Sequence, residues 1–511
     1  MDEKILDLDK FAAIRQSLQK DGKKIVHCHG VFDLLHPGHI IHLEEAKKLG
    51  DILVVSITSA SYVNKGPGRP YFSDELRVKS LAALQCVDFV LLSKAITALE
   101  IIDHIKPDFY VKGQEYSDSS NDVTQNIERE AEHVHSWGGE IKYTEGQVFS
   151  STKLLNNHFN VFPTGVKEFT HEFLERYTFD TVRTLVDSMR DLKVLVIGDL
   201  IIDEYVMCQI QGLTSKDRAF SGKYIAEERY LGGAFAVADH LSNFSDHVTI
   251  FGILGDEPHL HTQVIQKLGN KCHLDLEFDR EHHTVVKRRY IERKGVRDQY
   301  EKIFSINYLA EGNVSETLRT VMHKKLEKIL EKYDLVVVTD YGHGMIDPYI
   351  IKMIEEKAKF ISLNCQTNSA NYGGNLITKY SRANTFVLNE TELRLATADR
   401  SSDRKSLFPQ ILDHFKEAQG WLTLGSLGTL CYDGKGEFFE HPALTLDVQD
   451  TVGAGDALFA LVSLASYLQA PPVVTSLLGN IAGAIAANYL GNSRAVVKEE
   501  LLKFATTVLK F

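Results

Sequence analysis

The chain has 511 residues, 44% of them hydrophobic and 25% charged, which is typical of folded globular protein and excludes a collagen-like or largely disordered chain. Its formal net charge of −12 argues against indiscriminate binding to nucleic acid or to an anionic membrane. The six cysteines are scattered singly, without a Cys-x-x-Cys pair, which indicates reduced thiols. The N-terminal stretch is acidic, and no apolar run is long enough to span a bilayer. We therefore expect a cytoplasmic protein that binds neither nucleic acid nor membrane.

Short apolar runs alternate with helical patterns in the N-terminal part of the chain. The predicted strands cover residues 24–28, 52–57, 87–92 and 108–112. The predicted helices cover residues 40–49 and 73–85, the second with Ser73 as N-cap. Leu76, Leu81 and Leu84 are the candidates for its buried face. Alternation of strand and helix predicts a parallel sheet with helices on both faces.

Three segments are predicted along the chain. Residues 1–155 form a first domain, residues 156–192 a connector with an amphipathic helix, and residues 193–511 a second domain. The second domain opens with an apolar strand at 193–197 and has a buried strand at 334–338. The predicted fold class is α/β, with two doubly wound domains.

The first chemically informative stretch runs from His29 to His39, between a predicted strand and a helix. Pro37 suits a first helical turn, and Gly38 lets the backbone approach a ligand closely. The helix start offers free N–H groups and a positive dipole end, which favour a phosphate. His36 and His39 lie three positions apart, so both rings can reach one anion and stabilise charge during phosphoryl or nucleotidyl transfer.

Two other interpretations of these histidines stay open. They could be ordinary polar loop residues. A metal site is disfavoured, because no carboxylate or cysteine at ligand spacing completes it. The histidines concerned are His27, His29, His36, His39 and His42.

The stretch GVFDLLHPGH is similar to the HxGH signature of the nucleotidylyltransferase superfamily, in the GxFDxxHxGH form of its cytidylyltransferase-like branch. The resemblance covers about residues 23–155, including PDFYVKG at 107–113 and FSST at 149–152. It implies a Rossmann-like nucleotidyltransferase fold. It also implies in-line attack of a substrate phosphate on the α-phosphorus of a nucleoside triphosphate, with magnesium pyrophosphate leaving.

The same resemblance implies roles for individual residues. The implied catalytic residues are His36, His39 and Lys65. The implied nucleotide-binding residues are Gly30, Phe32, Asp33, Gly38, Arg69, Arg77, Lys112, Ser151 and Thr152. For Lys65, Arg69 and Arg77 the alternative is a solvated basic face.

The second informative stretch is DTVGAGD at 450–456, followed by an apolar helix. Small residues before a helix start form a nest of backbone N–H donors suited to a transferring phosphate. Asp456 at the helix entrance can accept a proton from a substrate hydroxyl. The alternative is a plain glycine turn in which Asp456 is a first-turn acid.

This stretch resembles the DTxGAGD signature of the ribokinase-like (PfkB) carbohydrate kinases and implies a ribokinase-like fold. Asp456 is then the catalytic base, and Gly453, Ala454 and Gly455 form the anion hole. The implied sugar-binding residues are Asp199, Asp203, Gly232 and Gly233. The implied nucleotide-binding residues are Asn389, Glu392, Thr423, Gly425, Gly428 and Asn480, with Glu392 also organising Mg²⁺ indirectly.

Two departures from that family leave substrate choice and kinase competence open. Ala236 stands where the family offers an asparagine, and Asn364–Gln366 stands where heptose-phosphate kinases have DPK. A DYxKG-like loop reads DYGHG at 340–344. A basic run, Lys287–Arg289 with Arg293, Lys294 and Arg297, lies in a predicted β-hairpin. A solvated strand face is the favoured interpretation of this run, a clamp for a substrate phosphate the second, and RNA binding the last.

Together the two halves resemble the bifunctional ADP-heptose synthesis enzymes, with the domain order reversed. The resemblance implies Mg²⁺, ATP for the kinase half, and ATP or CTP for the transferase half, with ATP favoured. The expected partners are a sugar phosphate and a nucleoside triphosphate, and the expected assembly is a homodimer. The alternatives are an alditol- or glycerol-phosphate cytidylyltransferase fused to its kinase, and a transferase joined to a non-catalytic sugar-binding module.

Overall fold

The computed structural model describes residues 2–63, 65–66, 68–114, 126–144, 151–159, 161–280, 282–294, 299–309, 314–415, 418–446 and 448–510. The chain forms two compact units: residues 1–162 together with 502–511, and residues 163–501. This division differs from the predicted boundaries at 155 and 193. The predicted connector belongs to the second unit from residue 163 onward, and the last ten residues belong to the first unit.

The first unit is a six-stranded parallel sheet with helices on both faces. Its strands are β1 (Ile5–Leu6), β2 (Ile25–Gly30), β3 (Ile52–Thr58), β4 (Phe89–Ser93), β5 (Phe109–Gly113) and β6 (Glu140–Thr144). Its helices before residue 162 are α1 (Leu8–Lys20), α2 (Pro37–Lys47), α3 (Asp74–Ala82), α4 (Leu99–Ile105), α5 (Asn126–His135) and α6 (Ser151–His158). The strand order is β1-β4-β3-β2-β5-β6, all neighbours being parallel. The order reverses direction between β2 and β5, and ligands of such sheets bind where the strands end at this switch point.

The second unit is built on a larger sheet. Its strands are β7 (Lys193–Gly198), β8 (Leu200–Leu213), β9 (Phe220–Gly233), β10 (His247–Gly255), β11 (His273–Asp279), β12 (Val285–Lys294), β13 (Gln299–Tyr308), β14 (Leu335–Asp340), β15 (Ile361–Cys365), β16 (Thr385–Asn389), β17 (Gln419–Thr423), β18 (Thr429–Tyr432) and β19 (Phe438–His441). Its helices are α7 (Val166–Leu174), α8 (Phe179–Asp187), α9 (Ala234–Leu241), α10 (Pro258–Leu268), α11 (Glu316–Ile329), α12 (Pro348–Lys357), α13 (Glu390–Ala396), α14 (Arg404–Leu412), α15 (Ala454–Tyr467) and α16 (Pro472–Ala486). The last helix, α17 (Lys498–Val508), has its residues from 502 onward in the first unit.

Nine strands form the main sheet, in the order β11-β10-β7-β14-β15-β16-β17-β18-β19. A separate four-stranded sheet has the order β13-β12-β8-β9.

In β12 alternate side chains point to opposite faces. Lys287 and Arg289 therefore share one face, where they line a cavity beside Asp456, while Arg288 on the other face pairs with Glu204. The prediction of a β-hairpin is confirmed. The prediction that its basic residues lie on a solvated strand face is wrong for Lys287 and Arg289, because their face of the strand covers the cavity.

Two local predictions also need correction. Leu76 is 54% exposed rather than buried, because α3 turns Arg77, Val78 and Leu81 toward the sheet instead. The connector is not one helix: α7 ends before a break at residues 175–178, where the Thr178 hydroxyl caps α8. None of the helices that the structure describes is both long and apolar enough to cross a membrane.

Arg77 is the largest buried polar side chain of the first unit. Its guanidinium donates to the carbonyl oxygens of Val31 (2.7 Å), Thr58 (3.0 Å) and Phe72 (3.1 Å) and to Asp74 (2.5 Å). It thereby joins three separate backbone segments.

Replacing Arg77 by leucine should lower the stability of the first unit by about 3–5 kcal/mol, because three carbonyl groups and one carboxylate lose their partner. Faster hydrogen exchange in peptides covering β2 and β3 would report the loss. Lys79→Ala, which removes an exposed pair with Glu75 on the same helix, should leave that exchange unchanged. Unchanged exchange in the Arg77→Leu variant would contradict this role.

Two candidate active sites

The first candidate site lies where β2 ends and α2 begins. His36 is the N-cap of α2, its Nδ1 accepting from the backbone N–H of His39 (3.4 Å), and Pro37 occupies the first turn. The rings of His36 and His39 stack with centroids 3.8 Å apart. Burial lowers the pKa of both, that of His39 to about 3, with the neighbouring His36 and Lys65 contributing. Both imidazoles are thus neutral at pH 7 and sit at a helix N-terminus, where they can donate hydrogen bonds to an anion.

Cationic side chains surround this pair of histidines. Burial lowers the pKa of Lys65 to about 8, with the charge of Arg69 as the next cause. The Arg69 side chain is only 4% exposed, and it donates to Asp33 (3.5 Å) and to Asn156 (2.7 Å). Lys65 and Arg69 are therefore not on a solvated basic face. Desolvated cations attract a phosphate more strongly than solvated ones.

Asp33 organises the loop that carries these cations. Its two oxygens accept from the backbone N–H groups of Tyr71 (2.9 Å) and Phe72 (3.0 Å). Phe32 has a positive φ of 47°, and its ring meets the ring of His39 edge-on at 5.2 Å. The Phe32 ring also packs over Gly30, and Gly38 is the second residue of α2.

Four further predicted residues of this site, Arg77, Lys112, Ser151 and Thr152, lie on α3, β5 and α6. The Arg77 guanidinium donates to the carbonyl groups described above. Lys112 pairs with Glu130 (2.8 Å) at the end of β5. Ser151 and Thr152 begin α6, whereas Phe149 and Ser150 of the same motif, and Pro67 of the basic loop, lie outside the described residues.

The neighbouring histidines are engaged with hydroxyl groups. His27 Nε2 and His29 Nδ1 both lie 2.7 Å from Ser56 Oγ, and His42 Nδ1 lies 2.8 Å from Thr144 Oγ1. Burial lowers the pKa of His29 to about 3. Among the described residues, no group of three or more His, Cys, Asp or Glu side chains is arranged to hold a metal ion.

The second candidate site is a cavity of about 240 Å³ in the second unit. It lies between the four-stranded sheet and the start of α15. Its lining residues include Asp203, Gly233, Lys287, Arg289, Tyr341, Gln366, Gly453, Gly455 and Asp456.

The start of α15 leaves backbone N–H groups open to this cavity. Gly453 is the N-cap with φ +87°, and a side chain there would collide with the Asn492 amide oxygen. Only glycine fits that position without strain. Nothing lies within 4 Å of where a Gly455 side chain would point, so a phosphate has room to approach the N–H groups of Gly453 and Gly455. The Ala454 N–H between them donates to the Thr451 carbonyl (3.4 Å).

Asp456 stands in the first turn of α15 and is held by Tyr341. The Tyr341 hydroxyl donates to Asp456 Oδ1 (2.9 Å), and the other carboxylate oxygen is available to a substrate hydroxyl. Desolvation in the cavity raises the pKa of Asp456 to about 6, the charge of Asp203 adds to the rise, and the Tyr341 hydrogen bond opposes it. A base whose pKa lies near working pH is well matched to general-base chemistry.

These groups predict the pH dependence of sugar phosphorylation. Only ionised Asp456 accepts a proton, so kcat/KM should rise with pH through a midpoint near 6. Tyr341→Phe removes a hydrogen bond that lowers this pKa, so the midpoint should move upward. Initial rates from pH 5 to 8 on both proteins measure it. A flat wild-type profile, or a downward shift in the variant, would contradict the assignment of Asp456 as the base.

The two aspartates predicted to hold sugar hydroxyls have different surroundings. Asp203 lines the cavity, pairs with Arg289, and accepts from Asn492 (3.4 Å). Asp199 instead accepts from the backbone N–H groups of residues 341 (2.9 Å), 343 (3.1 Å) and 345 (3.3 Å). Its carboxylate is thus occupied in shaping the loop that delivers Tyr341. Gly232 packs directly against the Asp203 carboxylate, and Gly233 lines the cavity.

Asn389 and Glu392 form a reciprocal capping box at the start of α13. The Asn389 amide oxygen accepts from the Glu392 N–H (2.9 Å), and Glu392 Oε2 accepts from the Asn389 N–H (2.8 Å). Glu392 is buried, and burial raises its pKa to about 7, while the backbone N–H groups of Asn389 and Thr367 oppose the rise. Its Oε1 has no hydrogen bond of normal geometry among the described residues. A buried carboxylate oxygen without such a bond fits a cation or its bound water.

The predicted nucleotide turn lies between β17 and β18. Thr423 ends β17, and residues 425–428 make a tight turn in which Gly425 and Gly428 both have positive φ. Asn480 lies on α16 and contacts the residue that follows this turn. Its amide donates to Thr429 Oγ1 (2.7 Å) and to the Ser476 carbonyl (2.9 Å), so it joins α16 to β18.

Tyr341 is a partner of the Asp456 carboxylate that the sequence analysis missed. The sequence feature that could have identified Tyr341 is the glycine-rich loop directly after buried β14, because loops at strand ends carry site residues. The departures at 364–366 are also explained in part: Asn364 donates to the Val387 carbonyl (2.9 Å), while Gln366 lines the cavity. Ala236 lies buried within α9.

Comparisons with known proteins agree with this division into two sites. The cytidylyltransferase-like family matches residues 27–199, and the family described as pfkB carbohydrate kinase matches residues 191–498. Escherichia coli phosphofructokinase-2 in complex with potassium is 12% identical, with a TM-score of 0.50 over 62% of this chain and 99% of that chain. The same enzyme in complex with substrates and products gives the same values. These likenesses concern the fold alone.

Curated relatives match the N-terminal region. The bifunctional protein HldE of Geobacter metallireducens is 42% identical over 160 residues, which is 30% of this chain and 31% of that protein. The bifunctional protein HldE of Syntrophotalea carbinolica is 37% identical over 146 residues, or 27% and 28%. The chain thus matches less than a third of the length of these relatives. The predicted reversal of domain order stays a prediction, because each match covers one stretch of the relative.

Proposed function

Because the chain belongs to the pfkB family of carbohydrate kinases and carries a cytidylyltransferase-like region ahead of the kinase, we propose that it is a bifunctional enzyme of nucleotide-sugar synthesis. The kinase half phosphorylates a sugar or sugar phosphate with ATP. The transferase half couples a sugar 1-phosphate to a nucleotide and releases pyrophosphate. The observation that carries the proposal is the pairing of Asp456 with an open helix N-terminus in one cavity.

In the kinase half, a substrate hydroxyl gives its proton to Asp456 as its oxygen attacks the γ-phosphorus of ATP. Tyr341 fixes the orientation of the carboxylate, and the N–H groups of Gly453 and Gly455 stabilise charge on the transferring phosphoryl group. Mg²⁺ would be held through Glu392 and phosphate oxygens and would neutralise phosphate charge. Lys287 beside Asp456 favours a substrate that already carries a phosphate, such as a heptose 7-phosphate.

In the transferase half, the phosphate of the sugar attacks the α-phosphorus while His36 and His39 hydrogen-bond to the reacting phosphate. Lys65 and Arg69 hold the other phosphates of the nucleotide. We propose ATP rather than CTP as the nucleotide, from the resemblance of the two halves to the bifunctional ADP-heptose synthesis enzymes. The cytidylyltransferase-like match favours a second candidate, in which CTP and an alditol or glycerol phosphate are the substrates.

We propose further that the enzyme is a cytoplasmic homodimer that binds neither nucleic acid nor membrane. Large apolar side chains on the four-stranded sheet support a second copy as partner, among them Phe220 (69% exposed), Tyr224 (61%) and Ile225 (59%). Of the basic residues of β12 that would contact RNA, Lys287 and Arg289 line the cavity, Arg288 pairs with Glu204, and Lys294 pairs with Glu301. Arg297 of that run lies outside the described residues.

A substrate panel tests the proposal. ADP formation is measured with sugars, heptose phosphates and alditols, and pyrophosphate release with ATP or CTP over sugar 1-phosphates and alditol phosphates. We expect ADP formation with a phosphorylated sugar, and pyrophosphate release with ATP and a sugar 1-phosphate. Release with CTP and an alditol phosphate would establish the second candidate instead. If no acceptor supported ADP formation, the second unit would be a sugar-binding module without kinase activity.

A further inference from the structure

Residues 502–510 are packed on the loop that carries Lys65 and Arg69. They belong to the first unit, although they follow the whole of the second unit in sequence. The Phe504 ring of α17 lies directly against Gly66, at a position where any side chain would collide with it. Gly66 has φ +91°, a conformation that glycine adopts without strain. The loop and the tail are therefore fitted to each other.

Asn156 on α6 connects this tail to Arg69. Its amide nitrogen donates to the carbonyl oxygens of Thr507 and Lys510 (both 2.8 Å), and its amide oxygen accepts from Arg69 Nη2 (2.7 Å). Asn156 is only 6% exposed. The two carbonyl groups need a donor, and the guanidinium needs an acceptor. Only one placement of the amide nitrogen and oxygen satisfies all three partners, so the orientation of the Asn156 amide is fixed. The tail thus holds Asn156, and Asn156 holds Arg69.

The tail also brings positive charge to the site. Lys503 and Lys510 both lower the pKa of Lys65, and Lys503 lowers that of His29. Both lysines belong to the segment that contacts this loop and Asn156: Lys503 precedes Phe504, which packs against Gly66, and the Lys510 carbonyl accepts from Asn156. Concentrated positive charge in a partly desolvated site suits a polyphosphate, not a neutral sugar.

We propose that residues 502–510 are an integral part of the transferase site, in which Asn156 positions Arg69 and in which Lys503 and Lys510 help to bind the triphosphate. This inference rests on the proposed transferase activity. It makes nucleotidyl transfer by the first unit dependent on a segment that follows the kinase in the sequence. These residues lie outside the unit that contains the cavity with Asp456.

The charge component is tested on the full-length chain. In the double variant Lys503→Ala/Lys510→Ala, the KM for the nucleoside triphosphate should rise by roughly tenfold per charge removed, equivalent to about 1.4 kcal/mol each. The ADP-forming activity of the same preparation should be unchanged. Lys498→Ala, on the same helix but paired with Asp187, is the matched control and should keep the wild-type KM. A wild-type KM in the double variant would overturn the proposal.

The positioning component is tested with Asn156→Asp. This variant keeps an acceptor for Arg69 but presents an oxygen to the two tail carbonyl groups, so hydrogen exchange at residues 502–510 should accelerate and KM should rise. Unchanged exchange and KM would overturn the role of Asn156. A direct titration with inorganic triphosphate separates this inference from the proposed function. Weaker binding to the double variant than to wild type supports the tail site even if no sugar phosphate reacts, and equal binding overturns it.

Discussion

Replacing Asp456 by asparagine should lower ATP-dependent phosphorylation of the sugar by about 10²–10⁴-fold. Asparagine has the same shape and can still accept the hydrogen bond from Tyr341, but it cannot take a proton from the substrate. The loss should therefore appear in kcat with little change in KM. Steady-state ADP formation measures it.

The matched control for this change is Asp413→Asn, which alters an exposed aspartate of the same unit and should retain full activity. Thermal unfolding of both variants verifies that the second unit is intact. An Asp456→Asn enzyme within threefold of wild type would show that another group accepts the proton.

Replacing His39 by alanine should reduce nucleoside triphosphate-dependent pyrophosphate release by about 10²–10³-fold, because the variant loses a preorganised donor at the reacting phosphate. The pKa of about 3 means that His39 is neutral throughout the physiological range. We therefore expect the wild-type rate to show no titration of His39 between pH 5 and 8. An imidazolium mechanism would instead give a rate that declines as pH rises through 6 to 7.

His104→Ala is the control for that experiment, since His104 is an exposed residue of α4 that hydrogen-bonds to its own helix at Glu100. It should release pyrophosphate at the wild-type rate. If His39→Ala kept more than a third of the wild-type rate, the stacked histidines would not be the centre of this site.

The local motifs could be predicted from sequence because each is a strand–turn–helix unit. In the first site, His36, Pro37 and His39 are fixed by the start of a single helix. In the second, the small residues and Asp456 are fixed by the start of α15. Short-range geometry of this kind follows from the spacing of residues along the chain.

The environment of each motif could not be predicted in the same way. Arg77 and Asp199 have the charge expected of ligand-binding residues, but backbone groups from distant segments occupy them. The inward direction of Lys287 and Arg289 depends on which face of a separate sheet covers the cavity. A change of one residue in register would have turned both to solvent.

The contribution of the C-terminal residues depends on contacts across most of the chain. Asn156 and Lys510 are separated by 354 positions, and neither belongs to a recognisable motif. Periodicity places α17 as an amphipathic helix but does not identify its partner surface. Only the folded first unit brings Phe504 to Gly66 and the tail carbonyl groups to Asn156.

The most direct test of the two-site account measures both half-reactions on single preparations of wild type, His39→Ala and Asp456→Asn. ADP formation from the sugar and pyrophosphate release from the nucleotide are recorded side by side. The account predicts a crossed result, in which His39→Ala loses pyrophosphate release and retains ADP formation while Asp456→Asn does the reverse. Loss of both reactions in either folded variant would contradict two independent active sites in one chain.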